Sequence, residues 1–62
     1  MNIEKIVSDV SGDRIDKFVA EKLDLSRSRV QKLIDDGFVT IDGMTVKDSQ
    51  KVVAGQVVMV EI

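Results

Sequence analysis

Apolar residues recur at intervals of three and four in two neighbouring stretches of the chain, which is the spacing of one face of an α-helix. The first stretch spans residues 15–23 and the second spans residues 30–34. Ser26 offers a side-chain oxygen that can cap the start of the second helix, and Gly37 suits the left-handed conformation that ends one. The pattern therefore predicts two short helices joined by a brief connection at residues 24–26.

Two carboxylates stand at the start of the first predicted helix. Asp13 is placed to cap this helix, and Asp16 follows three residues later, where a capping box usually has Glu or Gln. A carboxylate pair for acid–base or metal chemistry is the alternative, but capping explains both residues more simply. We therefore expect neither aspartate to be catalytic.

Beyond Gly37 the apolar period changes from about four to two, which is the spacing of β-strands. Asp42-Gly43 is typical of a two-residue hairpin turn with both residues at positive φ, and Ala54-Gly55 marks a later turn. The predicted strands are residues 3–7, at an edge, 38–41, 44–47, 51–53 and 56–62. This order predicts an α+β fold, with two helices packed on one face of a small, mostly antiparallel sheet of four to five short strands.

The few large side chains allow a prediction about the core and about recognition. Phe18 and Phe38 are the only aromatic residues, and both fall on apolar stripes, so we expect both to be buried. Met44 and Met59 alternate with polar residues in their strands and are expected in the core as well. Since no aromatic side chain is then left to stack on unpaired bases, any nucleic-acid partner would be recognised by backbone and shape, as folded RNA is.

Composition narrows the classes of function. Sixty-two residues make a single domain, residues 1–62, with little depth for an enclosed catalytic pocket. The chain has neither Cys nor His, which removes disulfides, thiolate nucleophiles, imidazole bases and the usual zinc ligands. We expect no catalytic site, no cofactor and no metal in this chain. The longest apolar run, residues 57–60, is far too short to span a bilayer, so we expect a cytoplasmic protein without a membrane partner.

The second helix carries its charges in the order that the helix dipole disfavours. Arg27 and Arg29 lie in its first turn, and Asp35 and Asp36 lie in its last. Unpaired N–H groups beside two guanidinium groups favour a phosphate site. The alternative is a solvated charged face in which Lys32 pairs with Asp36. The net charge of −2 also argues against a strong nonspecific nucleic-acid binder.

The helical wheel places Arg27 and Arg29 on opposite flanks of the buried side. Arg27 can lean toward the first helix or the sheet, where Arg14 or Lys47 can join it. One guanidinium is therefore expected to support the corner between the helices while the others meet phosphates, and the pattern leaves open which does which.

These motifs together resemble the small RNA-binding domain first seen in bacterial ribosomal protein S-four. The matching segments, which cover most of the chain, are Arg14-Ile15-Asp16, Ser26-Arg27, residues 37–43 and Gly55-Gln56. Asp42 stands where that family usually has Asn, and Gln56 stands where it has Asp. The chain looks most like the N-terminal domain of a large-subunit-type RNA pseudouridine synthase, in which the catalytic aspartate belongs to a separate, larger domain.

The resemblance implies that the helical face and the hairpin dock folded RNA, with ribosomal RNA as the partner. It also implies a parent pseudouridine synthase, of which residues 1–62 are the N-terminal part and whose catalytic domain is a further partner. The RNA-binding candidates are Arg14, Ser26, Arg27, Ser28, Arg29, Lys32 and Lys47. The alternatives are a protein-interaction module that meets an acidic partner, and a complete small ribosome-associated RNA-binding protein.

Overall fold

A computed structural model describes residues 2–62 of the chain. This part contains two α-helices and four β-strands, in the order β1 (Ile3–Val7), α1 (Ile15–Leu23), α2 (Arg27–Asp35), β2 (Val39–Ile41), β3 (Met44–Thr45) and β4 (Val57–Glu61). The predicted α+β class is confirmed. Within residues 2–62, neither helix has the length and apolar character needed to cross a membrane.

The four strands form one antiparallel sheet in the order β1-β4-β2-β3. β1 lies at an edge, as predicted, and the last strand, β4, lies inside the sheet between β1 and β2. The pairing of β1 with β4 also brings Asn2 and Ile62 together, because the N–H of each donates to the carbonyl of the other. The two ends of the described chain therefore lie side by side.

Residues 51–53 were predicted to be a strand, and this prediction is wrong. Lys51 forms only an isolated antiparallel bridge with Arg14, just before α1. The N–H of Val52 donates to the carbonyl of Asp13, and the N–H of Val53 donates to the side chain of Gln56. The segment thus finds its hydrogen-bond partners at the start of α1 and in its own turn.

The core lies between the two helices and one face of the sheet. Val58 and Val60 of β4 are fully buried and pair in register with Ile41 and Val39 of β2. The helices and the loop before β4 complete the core with Ile15, Phe18, Val19, Ala20, Val30, Ile34 and Val52.

Three predicted core residues lie elsewhere. Phe38 is 39% exposed and Met44 is 72% exposed, so the prediction of burial is wrong for both. Phe38 directly precedes the buried Val39, and the alternation of a strand turns its side chain to the opposite face, which we call the outer face of the sheet. Met59 is half-buried on that face, and Met44 is uncovered at the hairpin end of the edge strand β3.

The start of α1 differs from the prediction by one residue. Its N-cap position is Arg14 and not Asp13, and the side chain of Arg14 forms no capping hydrogen bond. The backbone carbonyl of Asp13 instead accepts from Val52. Because the N-cap lies one residue later than predicted, Asp13 is not the cap and Asp16 does not occupy the capping-box position. Asp16 nevertheless accepts the first-turn N–H of Lys17 through its Oδ1.

Both predicted ends of α2 are confirmed. The Oγ of Ser26 accepts a hydrogen bond from the N–H of Arg29 at 3.2 Å. At the other end Gly37 has φ of +81° and donates its N–H to Ile34, while Phe38 donates to Leu33. These two bonds form a Schellman motif, which satisfies carbonyl groups that the helix leaves open.

The predicted hairpin turn is also confirmed. Asp42 and Gly43 have φ values of 50° and 86°, as a type I′ turn requires. The side chain of Asp42 adds a contact that the sequence motif does not indicate, because its Oδ1 accepts from the N–H of Val57 at 2.9 Å. The backbone N–H of Asp42 also donates to the carbonyl of Val57 at 2.8 Å. The turn is therefore tied to the beginning of β4.

Candidate nucleic-acid interface

Asp16 is a buried carboxylate at which both helices converge. Its side chain is fully buried, and every polar side-chain atom buried in residues 2–62 has a hydrogen-bond partner. Oδ1 accepts from the backbone N–H of Lys17 at 2.8 Å. Oδ2 accepts three side-chain hydrogen bonds, from Arg14 Nη2 at 3.1 Å, Arg27 Nη2 at 3.2 Å and Gln31 Nε2 at 3.0 Å. A residue interpreted as a helix cap is thus the centre of a polar network.

The network keeps Asp16 ionised. Burial alone raises the pKa of this carboxyl group, because it disfavours the charged form. The hydrogen bonds from Gln31, Arg27 and the Lys17 N–H, together with the charge of Arg14, outweigh burial and lower the pKa from 3.8 to about 2. Asp16 therefore carries a full negative charge at neutral pH.

The positions of Arg14, Arg27 and Gln31 along the two helices explain why their side chains meet at Asp16. Arg14 immediately precedes α1, two residues before Asp16. Arg27 is the first residue of α2, and Gln31 follows it by four residues, so that both side chains lie on the same face of α2. This face of α2 packs toward the first turn of α1.

Arg14 and Arg27, which we call the arginine pair, remain open to solvent on their other sides. Their side chains are 44% and 50% exposed. A guanidinium group has five N–H donors, and the bond to Asp16 comes from one nitrogen of each. Two positive charges stand against one negative charge, so the network keeps a net positive charge and free donors for an anion.

The structure confirms the expected support of the helix corner by one guanidinium. Arg27 leans toward α1 and is joined there by Arg14, one of the two partners considered for it. Of the two guanidiniums, that of Arg27 crosses from α2 to α1, whereas Arg14 and Asp16 lie two residues apart at the start of α1. Lys47 lies elsewhere, in a shallow depression beside Asp35 at the C-terminal end of α2.

The remaining candidates are distributed along α2. Ser26 uses its oxygen as the N-cap, and Ser28 is exposed in the first turn. Arg29 is exposed and forms no ion pair within residues 2–62. Lys32 pairs with Asp36 at 3.9 Å, as the alternative of a solvated charged face predicts for this residue. Such an exposed pair contributes little to stability and leaves the ammonium group available.

Two polar residues outside the predicted RNA-binding candidates belong to the site. Gln31 orients Asp16, and its spacing of four from Arg27 is a signal that could have indicated this. Lys51 faces Arg14 across the isolated bridge, which is flanked by the hydrogen bonds from Ile15 to Gln50 and from Val52 to Asp13. Residues paired in this way have their side chains close together on one face. Lys51 therefore adds a third cation beside Arg14.

The family model of the S4 domain matches residues 13–58, which include the arginine pair, Asp16 and Gln31. A protein of Chloroflexus aurantiacus named as an uncharacterized RNA pseudouridine synthase is 45% identical over 53 residues, covering 84% of this chain and 17% of that protein. The chain thus spans about a sixth of the length of this relative. No solved structure gives a significant match.

Proposed function

Because the chain belongs to the S4 domain family, whose members are RNA-binding domains, we propose that it docks folded ribosomal RNA as the targeting part of an RNA pseudouridine synthase. The docking surface is the exposed side of the first turns of both helices. Its charged contacts come from the arginine pair and Arg29, with Ser26, Ser28 and Lys32 beside them on α2. Lys47 contacts the RNA from the other end of α2.

The observation that supports this function best is the arginine pair on its buried carboxylate. The chain as a whole is acidic, with a net charge of −2, so general attraction to a polyanion is weak. Binding must therefore come from a local arrangement of cations. Two half-exposed guanidiniums with free donors supply one, because guanidinium groups match the geometry of phosphate oxygens.

The mode of recognition follows from where the aromatic side chains lie. Phe18 is buried, and the exposed Phe38 lies on the outer face of the sheet with Ile3 and Met59. The arginine pair belongs to the helices. Bases stacked on aromatic rings would therefore not contribute at this surface, and the RNA is recognised through its phosphates, its 2′-hydroxyl groups and its shape.

The assignment to a pseudouridine synthase rests on the Chloroflexus relative. Since that protein is about six times longer than the matched segment, the isomerisation of uridine is assigned to a part of the parent enzyme outside these residues. The role of residues 1–62 is then to bring ribosomal RNA to that part. An affinity measurement on residues 1–62 tests the docking step alone.

The experiment measures the affinity for a labelled, structured fragment of ribosomal RNA by fluorescence anisotropy at several salt concentrations. With roughly four to six phosphates contacted, log affinity should fall with log salt at a slope of about −3 to −5. Arg29→Glu should weaken binding by about tenfold or more, because it reverses a charge on the docking surface. Lys5→Glu makes the same charge change in β1, away from the helices, and serves as the matched control.

Two results would contradict RNA docking by this surface. One is an absence of binding at low salt, which would make an acidic protein partner the leading explanation of the exposed cations. The other is an equal loss of affinity in both variants, which would show that net charge, and not the helical surface, determines binding.

A further inference from the structure

We infer that Asp16 is a positioning residue that holds Arg14 and Arg27 so that the two guanidiniums grip one RNA phosphate together. This inference rests on the RNA docking proposed above and specifies how the docking surface is built. Asp16 itself is fully buried, so it acts on the RNA only through the arginine pair.

The distances set an upper limit on the separation of the two guanidinium groups. Nη2 of Arg14 and Nη2 of Arg27 both lie within 3.2 Å of the same oxygen, Oδ2 of Asp16, and are therefore no more than about 6 Å apart, both within ordinary hydrogen-bonding distance of it. Nitrogen atoms so placed can both reach the oxygens of a single phosphate group, with charge-assisted hydrogen bonds from each guanidinium.

Without a carboxylate this arrangement would not persist. Two cations at such a distance repel each other, and long side chains lose rotamer entropy when they are ordered. Asp16 offsets the repulsion before the RNA arrives. The two side chains then lose their rotamer entropy on folding, so the free energy of RNA binding does not have to offset that loss.

The carboxylate is itself held in place. Gln31 donates to the oxygen that binds the arginine pair, and the backbone N–H of Lys17 donates to the other oxygen. Both donors are neutral, so they fix the orientation of the carboxylate without adding charge. By its charge alone, a carboxylate within a docking surface opposes RNA binding. The presence of Asp16 there is explained by the positions that it imposes on Arg14 and Arg27.

The test compares Asp16→Asn with Asp35→Asn, using the same RNA fragment and correcting each affinity for the folded fraction. Each variant removes one negative charge, so charge alone predicts equal or tighter binding in both. Positioning predicts that Asp16→Asn weakens binding by about tenfold and makes the salt slope less steep by about one contact, whereas Asp35→Asn binds as well as the original chain or better. Equal or tighter binding by folded Asp16→Asn would overturn the inference.

A second variant covers the case in which Asp16→Asn does not fold. Gln31→Ala leaves the net charge unchanged and removes one of the bonds that orient Asp16, so a loss of affinity of a few-fold is expected. Unchanged affinity in the folded Gln31→Ala chain would count against positioning.

Lysine substitutions test whether one phosphate is shared. Arg14→Lys and Arg27→Lys keep the charge but lose the planar fork of donors, so each should weaken binding. If both arginines grip the same phosphate, the double substitution should cost less than the product of the two single effects. Full additivity would contradict a shared phosphate.

The outcomes separate this inference from the proposed function. If the original chain does not bind the RNA, both fail. If it binds and Arg29→Glu weakens binding while folded Asp16→Asn does not, RNA docking stands and the positioning role of Asp16 is refuted.

Discussion

Arg27 and Asp16 join the two helices by an ion pair in which Nη2 of Arg27 lies 3.2 Å from Oδ2 of Asp16, eleven residues earlier in the chain. The arginine selected as a phosphate contact is therefore also part of the contact between α1 and α2. A charge reversal such as Arg27→Glu would bring a second carboxylate against a buried one. Its effect on RNA affinity would mix binding with stability, and Arg29 is the better position for reversal.

The lowered pKa of Asp16 predicts a specific dependence of stability on pH. Because the pKa in the folded chain, about 2, lies below the ordinary value of 3.8, the ionised carboxylate stabilises the fold fully above about pH 4. This contribution, about 2 kcal/mol, is lost as the pH falls to about 2. Urea unfolding followed by far-UV circular dichroism should show a shallower pH dependence for Asp16→Asn than for the original chain in this range. Parallel curves for the two proteins would contradict the pKa assignment.

The N-cap of α2 predicts a contrast between two neighbouring serines. Ser26→Ala removes the hydrogen bond from Oγ to the N–H of Arg29 and should lower the free energy of unfolding by about 1 kcal/mol. Ser28→Ala is the control, since Ser28 is exposed within the helix and alanine favours helix. Thermal unfolding should rank Ser26→Ala below both other proteins. Equal melting temperatures for the two variants would show that the cap contributes nothing.

Gly37 is expected to be required for its backbone conformation and not for space. Its φ is +81°, and a Cβ added there would meet no described atom within 4 Å. Gly37→Ala should therefore cost about 1 kcal/mol through backbone strain alone, whereas Gly37→Asn should cost less, because Asn tolerates the left-handed region better. Chemical denaturation of both variants measures the difference. A larger loss for Asn than for Ala would indicate a steric cause.

Substitutions of Asp42 distinguish the effect of its charge from the effect of its hydrogen bond in the hairpin. Asp42→Asn keeps an acceptor for the N–H of Val57 and a residue that accepts φ of 50°, so its stability should stay within about 0.5 kcal/mol of the original. Asp42→Ala loses both features and should cost about 1 kcal/mol or more. Equilibrium unfolding of both variants measures the difference. Similar free energies of unfolding for the two variants would mean that the hydrogen bond to Asp42 Oδ1 does not stabilise the fold.

The features predicted from sequence are those that short segments determine. The Asp42-Gly43 turn, the Ser26 cap and the Gly37 terminus each depend on a few adjacent residues, and each is confirmed. The α+β class followed because the change from helical to strand periodicity falls at Gly37, directly after the C-cap of α2. The start of α1 was predicted one residue too early, because its N-cap is Arg14 and not Asp13.

The features that were missed depend on partners far along the chain. Asp16 lies near a helix start, where a cap is the usual role, and only the packing of α2 brings Arg27 and Gln31 to it. Lys51 joins the site through a bridge to Arg14. Phe38 is exposed because β2 faces the core with Val39, and a strand of three residues is too short to reveal its buried side by pattern.

The position of β4 has a consequence for the order in which the chain can fold. β4 is made last and lies in the interior of the sheet, where it pairs with both β1 and β2. During synthesis the two helices can form early, but the sheet has no centre until residue 61 has emerged from the ribosome. The start of α1 is held by hydrogen bonds with Gln50 and Val52, so Arg14 reaches its final position only after that segment has emerged, and the last of the four strands then completes the domain.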